Sequence, residues 1–175
     1  MNRNEGLLKM VMLSMLVAIG VVISPILRIE GMCPMAHVIN IVCSVLLGPW
    51  YSLLCATLIG IIRMMLMGIP PLALTGAVFG ALLSGLLYRY FKGRLIWAVI
   101  GEVLGTGVIG ALVSYPVMTF LWGKAGLTWT FYLPLFTAAT LIGGSIAYVF
   151  LTALKKTGML AVCQNRLGAV VYDKG

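Results

Sequence analysis

Two ionisable side chains interrupt long apolar runs of this sequence, Arg63 and Glu102. A charge in such a run is costly to leave against hydrocarbon, so it turns toward other protein groups or toward a bound molecule. Glu102 has Thr106 one turn later on the same helix face, a pairing that offers one acceptor and one hydroxyl side by side. Two readings stand together: a structural Arg63–Glu102 ion pair, or a polar contact to a ligand. Arg63 has a third option, to snorkel outward along its own stem. His37, the sole histidine, lies three residues before Asn40, so the two share a helix face. They either cap a helix end or present donors and acceptors to a ligand. Cys33 and His37 are only two ligand-type side chains where zinc takes three or four, so no metal site is expected. Tyr115, Thr119, Thr137 and Thr140 sit near the ends of two later apolar runs, with Trp122 and Trp129 between them. They either line and cover a cavity or, for the tryptophans, form an interfacial belt. Tyr115 is 13 residues beyond Glu102, roughly 20 Å along a straight helix and nearly on the opposite face. One small ligand is not expected to touch both.

The elements that carry these residues follow from composition. The chain has 175 residues, 62% apolar and 9% charged. Too few charges are present to cover a water-soluble core of this size, so lipid is the expected solvent. Apolar runs place spans at about 7–27, 36–48, 50–67, 72–88, 95–118 and 131–154, followed by a cytoplasmic tail, 155–175. The fold class is thus an all-α integral membrane protein with six transmembrane helices in a single membrane domain, 1–175. Gly48-Pro49 breaks what would otherwise be one overlong run, because proline removes a helix donor and clashes with the preceding turn. The first apolar run is longer than a signal-peptide core and has no small-residue cleavage site, so it is kept as a span.

The net charge is +8. The basic residues lie mostly between apolar runs, which reads as orientation in a membrane rather than as nucleic-acid binding. With the N-terminus inside, Arg3, Lys9, Arg89, Lys92, Arg94, Lys155, Lys156, Arg166 and Lys174 are inner, and only Arg28 and Lys124 are outer. Nine against two puts both termini in the cytoplasm of a multi-pass protein of the cell membrane. Tyr88, Tyr90 and Trp97 flank the inner face, and Trp122, Trp129 and Tyr132 the outer face, as aromatic belts do.

Four cysteines show neither C-x-x-C spacing nor a disulfide framework. No phosphate-binding loop and no nucleophile–base pair is present, so neither an enzyme nor a cofactor is expected. Small residues recur four apart as Ser14-x-x-x-Ala18 and Gly20-x-x-x-Ser24 in the first span. Gly101, Gly105, Gly107, Gly110 and Ser114 crowd the fifth. Both patterns allow close helix approach, within the bundle or against a partner.

Six short spans, a small-residue face in the first, the Leu47-Gly48-Pro49-Trp50 break and the Gly101-Glu102-Val103-Leu104-Gly105-Thr106-Gly107 stretch resemble the substrate-binding S component of energy-coupling factor (ECF) vitamin transporters. More narrowly they resemble the ThiW family, associated with the thiazole precursor of thiamine. The resemblance covers residues 7 to about 154. It implies a binding subunit that takes a small vitamin precursor near the outer face. It also implies partners: an ECF transmembrane component and two ABC ATPases. Ser14 stands where that family's span-one motif has its first alanine, and Ala18 where it has the second, so both are implied docking residues. The resemblance also favours Tyr115, Thr119, Trp122 and Thr137 over the deeper Glu102 as ligand contacts. A hydroxyethylthiazole ring needs an aromatic or apolar wall and one or two hydrogen bonds. Phe79, Tyr115 and Trp122 offer the wall, with Thr75, His37 and Asn40 beside it. The candidate substrate set is therefore His37, Asn40, Thr75, Phe79, Glu102, Thr106, Tyr115, Thr119, Trp122 and Thr137. Thiamine itself, its pyrimidine precursor, or a non-transporting membrane enzyme or scaffold are the alternatives.

Overall fold

The computed structural model describes residues 3–26 and 32–172. Leu27, Arg28 and Lys174, used above for the first span and the charge count, lie outside them, and the side chain of Arg3 is likewise not described.

The chain is 79% helical, without strands among the described residues. The helices are α1 (Arg3–Ile23), α2 (Pro34–Leu47), α3 (Pro49–Met67), α4 (Leu72–Tyr90), α5 (Leu95–Leu121), α6 (Tyr132–Lys156) and α7 (Met159–Arg166). Five of them, α1 and α3 to α6, are long and apolar enough to cross a membrane. The expected breaks fall where the turn chemistry puts them. Gly48 has φ +94° and Pro49 opens α3, and Gly68 closes α3 in the left-handed region. That conformation suits glycine because it has no Cβ.

At 14 residues, α2 is about 21 Å long, short of a roughly 30 Å hydrocarbon core. Twelve of those residues are buried, and α2 touches every other helix. It is the axis of the bundle, shielded from lipid by its neighbours. That position explains how it carries His37, Asn40 and Ser44 without exposing polar groups to hydrocarbon.

Two elements differ from the sequence reading. The 155–175 tail holds a helix that the apolar runs did not mark: α7 folds back on the bundle, with Leu160, Gln164 and Leu167 buried. Gln164 Nε2 donates to Val45 O at 2.9 Å and lies 3.1 Å from Tyr88 Oη. Its short apolar pattern was too weak to mark a docked helix. The other difference is internal winding. α4 breaks at Gly76 and Ala77, between Leu72–Thr75 and Val78–Tyr90. α5 widens into π-helix at Val103–Gly110 and, after Pro116, at Val117–Leu121. Glycines lower the cost of such widening, and proline has no N–H to keep the regular ladder.

The start of α1 and the end of α7 lie at one end of the bundle. There Lys9 Nζ approaches Gly168 O at 3.5 Å, Tyr172 packs on Gly93, and Arg89 packs on Gly48. The 32–33, 68–71 and 122–131 segments form the other end.

The α5 glycines are contact points. A Cβ at Gly101 would fall 2.6 Å from Leu83 O, and one at Gly105 2.5 Å from Phe79 O, both backbone atoms of α4. Without a hydrophobic drive between helices in lipid, this backbone-to-backbone packing holds them together. Gly105→Ala should therefore lower stability by about 1–3 kcal/mol, read as a lower melting temperature in detergent. An unchanged melting temperature would contradict the close α4–α5 contact.

Candidate functional site

Glu102 is fully buried, and its carboxylate draws three helices together. Oε1 lies 2.8 Å from His37 Nδ1 and accepts from Asn40 Nδ2 at 3.0 Å and from Thr106 Oγ1 at 3.3 Å. Asn40 Nδ2 also donates to Ala77 O, 3.3 Å away at the α4 break. Oε2 has no hydrogen-bond partner among the described residues. It faces Gly80, where an added Cβ would sit 2.8 Å from it. The helix face shared by His37 and Asn40, and the one shared by Glu102 and Thr106, thus meet each other. The Arg63–Glu102 pair does not form: the partner of Glu102 is His37.

In front of this network opens a cavity of about 530 Å³. Its mouth is built by Met32, Cys33, Ile69, Pro70, Lys124 and Phe131, at the end of the bundle opposite the termini. Its walls are Leu72, Ala73, Gly76 and Ala77 of the broken α4 region, Met118 of α5, and Tyr132, Leu135 and Phe136 of α6. The polar side chains that line it include His37, Thr106, Arg63 and Lys124. Arg63 is 4% exposed, and its Nε has no hydrogen-bond partner among the described residues. Such volume, mostly apolar walls and few polar groups are the features of a small-molecule site.

Of the residues singled out by sequence, His37 and Thr106 line the cavity. Asn40 and Glu102 stand directly behind them and fix their positions. The others do not line it. Thr75 Oγ1 is 2.7 Å from Ser114 Oγ. Phe79 presents its backbone to Gly105, and Thr137 Oγ1 donates to Gly107 O at 3.4 Å. Tyr115 packs its ring on Trp129, centroids 4.3 Å apart. Thr119 has a buried hydroxyl with no partner among the described residues. Trp122 is 54% exposed. Tyr132, read as part of an outer aromatic belt, is 2% exposed and forms a cavity wall instead. Met118, Phe136, Lys124 and the residues around the α4 break line the cavity without having been singled out by sequence. Tyr132 and Phe136, four apart at the start of a helix, carried a signal for a shared face. The α4 break carried only Gly76.

The two small-residue pairs of α1 separate. Ser14 and Ala18 are exposed on the bundle surface, whereas Gly20 and Ser24 are buried, Gly20 against Ile59 and Ile39. The four cysteines are free thiols.

Several apolar helices of membrane length around a ligand-sized cavity define a multi-pass membrane protein that handles a small molecule. A family model described as thiamine-precursor transporter protein (ThiW) matches residues 10–157. The chain belongs to that family. No curated protein and no solved structure matches it.

Removing the acceptor at Glu102 strands the side chains that surround it. Glu102→Leu is expected to cost about 3–5 kcal/mol, as breaking a buried pair does. Glu102→Gln keeps an oxygen acceptor and should cost clearly less. Melting temperatures of the purified variants check this; a Leu variant as stable as the wild type would contradict the network.

Proposed function

We propose that the chain is the substrate-binding subunit of an ECF-type importer and that it takes the thiazole precursor of thiamine, hydroxyethylthiazole or a close derivative, in the cavity beside His37. The observation that carries this reading is the cavity itself, in a member of a thiamine-precursor transporter family. Its aromatic walls, Tyr132 and Phe136, suit a flat ring. His37, held by Glu102, and Thr106 suit a ring nitrogen or a hydroxyl. Thiamine itself carries a fixed positive charge, and Arg63 opposes a cation there.

In this reading α2 completes a six-span bundle as its shielded central helix. The nine-to-two bias of basic residues supports cytoplasmic termini and a cavity mouth on the outer side. The sequence holds no nucleotide-binding loop, so energy must come from partners. Ser14 and Ala18, exposed on α1, offer a flat small-residue face to an ECF transmembrane component with its two ATPases.

Two measurements test the proposal. Purified protein should bind a methylthiazole of this class at micromolar concentration or better, with thiamine and the pyrimidine precursor at least about 10-fold weaker. Tighter binding of either competitor would overturn the substrate. Ser14→Trp and Ala18→Trp should abolish co-purification with an ECF module while leaving ligand binding intact. Retained co-purification would overturn the docking face.

A further inference from the structure

The charge inside the cavity narrows the ligand further. The sequence holds four acidic residues: Glu5, Glu30, Glu102 and Asp173. Glu5 lies at the opposite end of the bundle, against Gly168. Glu102 is committed through Oε1 to His37, Asn40 and Thr106. Glu30 and Asp173 fall outside the described residues. Among the described residues, no carboxylate lines the cavity, while Arg63, Lys124 and His37 do.

Arg63 is the notable member. It lies one turn from the end of α3 at the cavity end of the bundle and is 4% exposed. It makes no ion pair with any described residue, and its Nε is buried without an acceptor. A guanidinium is always charged, and burying one without a counter-ion is strongly unfavourable. Its planar fork of donors matches the oxygens of a carboxylate or phosphate. A side chain kept at that cost beside a ligand-sized cavity is matched by a charge that arrives with the ligand.

We infer that Arg63 is the anion-recognising residue of the cavity, and that the preferred ligand is an anionic thiazole, bearing a carboxylate or a phosphate monoester, rather than the neutral alcohol. The inference rests on the thiazole reading above. The ring stacks near Tyr132 and Phe136, and the anion reaches Arg63.

Equilibrium binding to purified protein tests it with three probes: 4-methyl-5-(2-hydroxyethyl)thiazole, its phosphate monoester, and 4-methylthiazole-5-acetate. At least one anion should bind about 10-fold or more tightly than the alcohol. Which anion does so separates phosphate from carboxylate. Arg63→Gln should remove that preference, weakening the anion at least about 10-fold and leaving the alcohol within about 3-fold. Arg63→Lys should restore part of it, because it keeps the charge and loses the fork. Arg63→Gln should also melt no lower than wild type in the absence of ligand, since it removes a buried charge that pairs with no described residue. That reading separates lost binding from lost folding. Alcohol binding as tight as both anions, or a preference that survives Arg63→Gln, overturns the inference and leaves the thiazole reading standing. Failure of all three probes alongside tight binding of thiamine or the pyrimidine precursor overturns the thiazole reading, and the inference with it.

Discussion

A carboxylate at zero exposure inside an apolar bundle has to be solvated by the protein, and the placement of Glu102 governs much of what surrounds it. Its Oε1 gathers His37 and Asn40 from α2 and Thr106 from its own helix. That gathering requires α2 to run through the middle of the bundle, where its polar residues meet no lipid. It requires α4 to come within backbone contact of α5, which Gly80, Gly101 and Gly105 permit. It also fixes the imidazole of His37 through Nδ1. The same ring lines the cavity, so a group buried behind the wall sets the geometry of one that forms it.

The cavity follows from the irregular parts of the same helices. A straight, continuous α4 would carry its side chains in regular register past Gly76 and Ala77; the break there makes residues 72–77 a wall. The π-helical stretch of α5 turns Thr106 toward the cavity while Gly105 and Gly110 stay against α4. π-Helical turns recur at functional sites because they re-aim side chains without ending the helix. The polar groups of the space then divide in two. His37 and Thr106 are tied to Glu102, whereas Arg63 brings a charge with no described partner.

Much of this was legible in the residues. Apolar run lengths located the helices, and Gly48-Pro49 and Gly68 located two sharp turns, because proline chemistry and positive φ act locally. Spacing of three and four put His37 with Asn40 and Glu102 with Thr106. What spacing does not carry is which helix faces which. Arg63 and Glu102 looked like partners because they were the two charges within spans, yet the histidine of a third helix took the carboxylate. Tyr132 read as a belt residue because aromatic residues at run ends are common there; only tertiary packing turned it inward. Tyr115 and Trp122 were drawn in by their place near a helix end, where the chain packs Tyr115 on Trp129 and leaves Trp122 half exposed. Winding changes inside α4 and α5 have no periodic signature, so the walls they shape were missed.

Family membership gives the solute class, and the cavity proposed to receive it is an aromatic slot with a fixed imidazole and a guanidinium that pairs with no described residue. Mass spectrometry of small molecules retained by the protein, purified in mild detergent from cells fed thiamine precursors, tests this claim most directly. A thiazole compound, present in the wild type and lost from a His37→Ala variant that still folds, is the predicted result. Thiamine, its pyrimidine half or an unrelated vitamin retained in its place would contradict the account.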